Sequence, residues 1–112
     1  MSSQEPLAPR DLLILSVLAE GDQHGYGIIK AVDERTEARV LLDPANLYRV
    51  LRRMRRDGWI EEIDAGGAEE GRRRTYSITS RGLSILKTEV DRLEHLLGQV
   101  RPALADAGRG GR

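Results

Sequence analysis

A chain of 112 residues, with 18 Lys and Arg against 18 Asp and Glu, is long enough for one domain with a modest core and tails, and its zero net charge argues against a nonspecific polycation. Apolar residues make up 39% and aromatics only 4%, with no Phe, so the core must be built from Leu, Ile, Val and Ala, and so small a core would gain from a partner chain. The lack of Cys excludes disulfides, thiolate metal sites and cysteine nucleophiles.

The opening MSSQEPLAPR has no apolar stretch after a basic start, so no secretory leader is expected. The longest strongly apolar run, LLIL at 12–15, is far too short to span a bilayer, so the expectation is a cytoplasmic protein with no membrane partner. Residues 1–8 read as a flexible lead-in. Arg10 to Ala19 (RDLLILSVLA) is apolar on most sides and reads as a short helix buried on more than one face, ending at Glu20-Gly21.

A second helix is expected from about Gly25 to Glu37, with Tyr26, Ile29 and Val32-Asp33 at helical spacing. Gly25 and Gly27 in its first turn cost helix stability, which suggests a close contact there. Val40-Leu41-Leu42 reads as a brief extended piece. Asp43-Pro44 is then a strong helix start, with Asp as N-cap and Pro at the first helical position, and Gly58 supplies the stop.

This third helix places five arginines within eight residues, Arg49 to Arg56. At 100° per residue, Leu47, Val50, Leu51 and Met54 gather on one side and Ala45, Arg49, Arg52 and Arg56 on the other. Tyr48 and Arg55 lie on one flank and Arg53 on the opposite one. A cationic ridge with a small residue near its N-terminus suits a DNA major groove: Ala45 allows close approach, Arg can fork onto guanine, and arginines further along can meet phosphates. The plainer reading is a solvated face of ion pairs, but no acid lies between Pro44 and Arg56 to serve at i±4. Neutralisation from Glu61-Glu62 stays open at this point.

WIEEID (59–64) and RTYSI (74–78) carry strand-like residues, and between them AGGAEEGRRR forms a long hairpin loop whose Arg72, Arg73 and Arg74 could meet the DNA backbone. Two short helices, a basic third helix and a hairpin give a winged helix-turn-helix over residues 9–78, mainly α with a small β-hairpin. Thr79 or Ser80 should cap a long helix running to about Val100, with Arg101-Pro102 as its stop and 102–112 as a disordered tail. In that helix (79–101), Leu83, Leu86, Val90, Leu93, Leu97 and Val100 recur by three and four, a heptad seam that would pair with a second copy, with Leu12 and Leu13 of the first helix adding surface.

The segments HGYGI, LDPANLYRVLRRMRRDGWI and TYSITSRG, in that order across residues 10–100, resemble the PadR family of winged-helix transcriptional regulators. The resemblance implies a dimeric DNA-binding repressor whose last helix makes the dimer, with Tyr48 and the early turns of its helix at the DNA. The chain departs from the family where Ala45-Asn46 stands in place of a Gly-Thr-like pair, which bears on base preference. Its single last helix is similar to the short subfamily.

The expected partners are therefore double-stranded DNA, contacted by Ala45, Asn46, Tyr48, Arg49, Arg52, Arg53, Arg56 and Arg72 to Arg74, and a second copy of the chain. A small hydrophobic or phenolic effector stays open, as the resemblance implies for some relatives. The competing reading is a winged-helix interaction module docking an acidic partner. His24 and His95 have no metal-ligand companions, Glu61, Glu62 and Asp64 alternate along a strand, and no nucleophile–base set can be assembled, so neither a cofactor nor an enzyme is expected.

Overall fold

The computed structural model describes residues 4–37, 39, 42–63 and 74–109. In chain order the elements are α1 (Pro9–Glu20), β1 (Gln23–His24), α2 (Gly25–Thr36), α3 (Pro44–Arg56), β2 (Ile60–Ile63), β3 (Thr75–Ile78) and α4 (Ser80–Arg109). β3 lies between β1 and β2 in an antiparallel sheet, with Ile60 opposite Ile78 and Gln23 opposite Tyr76. This is a winged helix-turn-helix with one long C-terminal helix.

The core joins Ile14, Leu15, Val17 and Leu18 of α1 to Ile28 and Val32 of α2, with Leu42, the α3 quartet Leu47, Val50, Leu51 and Met54, then Ile60 and Tyr76. The quartet explains how so arginine-rich a segment holds its helix. Like-charge neighbours at i±4 cost about 0.2–0.5 kcal/mol each, whereas each buried aliphatic side chain contributes about 1.5–3 kcal/mol. Both ends are also closed. Asp43 Oδ1 accepts from Asn46 N at 2.8 Å, and Gly58, at φ 81°, takes the left-handed position where Trp59 N donates back to Met54 O at 2.9 Å.

Thr79 is the residue that starts α4. Its Oγ1 accepts from Gly82 N at 3.0 Å and donates toward Gly58 O and Trp59 O. Gly82 has no room for a side chain, because a Cβ there would overlap the Trp59 carbonyl and lie 2.7 Å from Ile78. The start of α4 is thereby seated against the sheet.

Four expectations need correction. The sheet has three strands, because Gln23-His24, too short and too polar to signal a strand, completes the edge of β3. In α2 the buried spacing is Gly25, Ile28 and Val32, while Tyr26 is exposed and Ile29 only half-buried. The lead-in is tied down over residues 4–8: Gln4 Nε2 donates to Ile85 O at 3.2 Å and Leu7 N to Glu89 Oε2 at 3.1 Å. Finally, α4 does not stop at Arg101-Pro102 but runs to Arg109 with Pro102 inside it, so no disordered tail begins at 102. A proline forfeits one helical donor and crowds the carbonyl four residues back, yet its own φ is helical, and Ala103, Leu104 and Ala105 continue the helix readily. Val40, Leu41 and the hairpin tip at 64–73, with Arg72 and Arg73, lie outside the described residues.

Candidate nucleic-acid interface

α3 presents Ala45, Tyr48, Arg49, Arg52, Arg55 and Arg56 exposed, with its apolar quartet fully buried behind them. Its first turn is organised as a relay. Asn46 Nδ2 donates to Asp43 Oδ2 at 2.9 Å, and Asn46 Oδ1 accepts from Arg49 Nη2. Asn46 therefore links the cap to Arg49 and aims that guanidinium, while remaining partly exposed itself.

Tyr48 leaves α3 toward α2 and lies against Gly25. A Cβ at Gly25 would overlap the Tyr48 hydroxyl and come within 2.9 Å of its Cζ. The close contact suggested by the glycine-rich start of α2 is thus made by a side chain of α3. His24 is the hydrogen-bonding cap of α2, its Nδ1 accepting from Gly27 N at 3.1 Å.

The remaining arginines have distinct neighbours. Arg53 is turned away from the ridge and pairs with Asp11 Oδ2 of α1, and Asp11 is buried at 6% exposure. That pairing sets Arg53 apart from its neighbours on α3, since its guanidinium also holds a buried carboxylate of the fold. Arg55 Nη1 meets Glu62 Oε1 at 2.9 Å, and Arg74 Nε meets Glu62 Oε2 at 3.4 Å. Arg56 Nε lies 3.6 Å from Asp57. Among the described residues, Arg52 has no hydrogen-bond or ion-pair partner. Glu62 does neutralise part of the run across space, but the ridge centred on Arg49 and Arg52 keeps its charge.

Beside this ridge, Tyr48, Arg52, Arg55, Arg74 and Tyr76 line a cleft of about 260 Å³ between α3 and the sheet. Arg55 and Tyr76 were absent from the expected site. Arg55 could have been found from its place on the Tyr48 flank, whereas Tyr76 reads in sequence only as an inward strand residue. Burial, and then the negative charge of Glu62, push the Tyr76 hydroxyl above the ordinary tyrosine range, so it keeps its proton at neutral pH.

On α4 the seam residues Leu83, Val90, Leu97 and Val100 are exposed, and Leu86 and Leu93 are half-buried, with Leu86 packed against the domain core. The longer helix adds Leu104, 70% exposed, at the next heptad step. Leu12 and Leu13 of α1 are half-buried, and Leu13 also packs against the core. Among the described residues no group of three or more His, Asp or Glu could hold a metal ion, and no helix is long and apolar enough to cross a membrane.

The sequence matches the model of the transcriptional regulator PadR-like family over residues 14–88. It is 32% identical over 89 residues to an uncharacterized 37.1 kDa protein in a transposon of Streptomyces fradiae, covering 80% of this chain but only 24% of that one. The fold is similar to that of a PadR family transcription regulator from Clostridium difficile, with a TM-score of 0.72, 26% identity, and 87% and 99% of the two chains covered. It is also similar in fold to Bacillus subtilis PadR, solved in complex with operator DNA, with a TM-score of 0.67, 20% identity, and 77% and 48% of the two chains covered.

Proposed function

Because the chain belongs to the PadR-like family of transcriptional regulators, we propose that it binds a near-palindromic operator as a homodimer and represses transcription there. Residues 9–78 read the DNA and α4 joins the two copies. The observation that carries this reading is the division of α3: four apolar residues wholly buried, and on the reverse an exposed face of Ala45, Tyr48, Arg49 and Arg52 in which Arg52 has no ion-pair partner among the described residues. An exposed arginine ridge on the second helix of a helix-turn-helix matches the shape and potential of a major groove. The operator complex of the Bacillus subtilis protein supports the same use of the fold.

In this reading Arg49, aimed by Asn46, and Arg52 contact base edges, and Arg56 meets the backbone. The exposed seam of α4 supplies a two-fold contact that sets the two α3 helices about one DNA turn apart. The test is fluorescence anisotropy with a duplex from the protein's own upstream region against a scrambled duplex, across a salt series. The protein should prefer the native duplex, with log affinity falling by about 0.9 per phosphate contact for each log unit of salt. Arg49→Ala and Arg52→Ala should each weaken native-duplex binding by about 1–3 kcal/mol and narrow the preference. Equal losses on both duplexes from both changes would refute base reading by this face.

A further inference from the structure

The cleft between α3 and the sheet holds more polar chemistry than a helix–sheet junction needs for packing. Tyr76 is 3% exposed, with its ring in the core, yet its hydroxyl has no hydrogen-bond partner among the described residues. No side-chain oxygen in the described structure is both fully enclosed and unpartnered, so this hydroxyl opens into the cleft that Tyr76 lines. A near-buried donor without a partner is costly unless a ligand or water completes it. Arg52, Arg55 and Arg74 line the same cleft. Among the described residues Arg52 has no ion-pair partner, and Arg55 and Arg74 share the carboxylate of Glu62. A guanidinium has five N–H donors, so each of these two retains donors after its contact with Glu62. Among the described residues three positive groups thus meet one negative one, and Tyr48 supplies a second hydroxyl to the lining.

We infer that this cleft is a seat for a phosphate group, supplied by the DNA backbone, with Arg55 and Arg74 as its cationic ligands and the hydroxyls of Tyr76 and Tyr48 as neutral donors, while Arg52, which also lines the cleft, keeps its place at the base edges. Arginine forks and hydroxyls are the groups that hold a tetrahedral oxyanion, and Tyr48, Arg55 and Arg74 of the lining are exposed, as a phosphate that stays part of a polymer requires. The inference rests on the DNA-binding reading above and adds Tyr76 and Arg55 as positioning contacts that carry no sequence information. Glu62 holds Arg55 and Arg74 on the sheet side, so the two guanidinium groups are in place before DNA arrives.

Tyr76→Phe keeps the ring and removes only the hydroxyl, and Arg55→Gln alters an exposed side chain, so both variants should fold, as thermal melts would check. In the salt-series anisotropy experiment, Tyr76→Phe should weaken native and scrambled duplexes by the same factor, about 3- to 10-fold. Arg55→Gln should weaken both duplexes and make the salt slope shallower by about 0.9. If the wild-type protein binds duplex while both variants match it in affinity and slope, the seat is overturned and the regulator reading stands. If the wild-type protein binds no duplex even at low salt, the DNA reading fails and the backbone is overturned as the source. Orthophosphate titrated into the ¹⁵N-labelled protein then decides the chemistry. Shifts of the Arg55 and Arg74 Nε–Hε signals that Tyr76→Phe weakens would assign the seat to a free phosphate, and unmoved signals would overturn it.

Discussion

Arg53 and Arg52 are adjacent in sequence and opposite in role, and the difference comes from a residue some forty positions away. Helical periodicity placed Arg53 on a flank, and it is the buried carboxylate of Asp11 on α1 that claims it. Removing Arg53 leaves this buried carboxylate with only the longer contact from Arg10 Nε, 3.4 Å away, and so poorly matched for its burial. Arg53→Ala should therefore lower stability by about 1–3 kcal/mol, read as a lower denaturant midpoint at unchanged slope, with DNA affinity of the folded protein preserved. A loss of affinity without a loss of stability would return Arg53 to the DNA face. The exposed and buried sides of α3 were legible in sequence because both follow from the 100° step. The ties of Arg53 to Asp11, of Arg55 to Glu62 and of Arg49 to Asn46 were only partly legible, since two of the three join separate elements and all depend on rotamers.

The last helix shows a similar division at the scale of an element. Gly82 and Glu89, seven residues apart, are its buried residues and dock it on its own domain, with Ile85 and Leu86 packed beside them. Leu83, Val90, Leu97 and Leu104, also at steps of seven, run along an adjacent exposed face. The heptad was readable because it is a pure periodicity, but a proline read as a stop hid its final member, Leu104. Strand β1 was missed for a different reason: its place comes from the free edge of β3, and Gln and His carry little strand preference of their own. Leu97 is far from the domain core, so Leu97→Asp should leave circular dichroism of the winged domain intact while sedimentation shows a shift from dimer to monomer. Operator affinity should fall on the order of 100-fold as the second half-site contact is lost. A dimer that survives this change would place the joint elsewhere.

Across the whole molecule, the two ends of the fold are joined by Glu89. It is 1% exposed, accepts from Arg92 Nε at 3.0 Å and Nη2 at 2.6 Å, and receives the Leu7 N–H at 3.1 Å. The bonds from Arg92, helped by Leu7 and opposed by burial, hold its carboxyl below the ordinary carboxylate range. A carboxyl whose folded pKa is depressed contributes stability that is complete above its unfolded value and is lost as pH falls through the folded one. Denaturation midpoints should accordingly drop on acidification below about pH 4.3, and Glu89→Gln should lower stability at pH 7 while flattening that dependence. A wild-type profile no steeper than that of the variant would remove Glu89 from this role. Past Glu89, α4 continues for some 20 residues to Arg109, a further ~30 Å at 1.5 Å per residue. An amphipathic rod of that length with one wet apolar edge is only marginally helical alone. In the proposed dimer, where the seam joins the copies, the order of this half of the helix would depend on how many copies the cell holds. At low abundance, promoter occupancy by that proposed dimer would climb with the square of protomer number, so a modest change in synthesis would become a threshold in output.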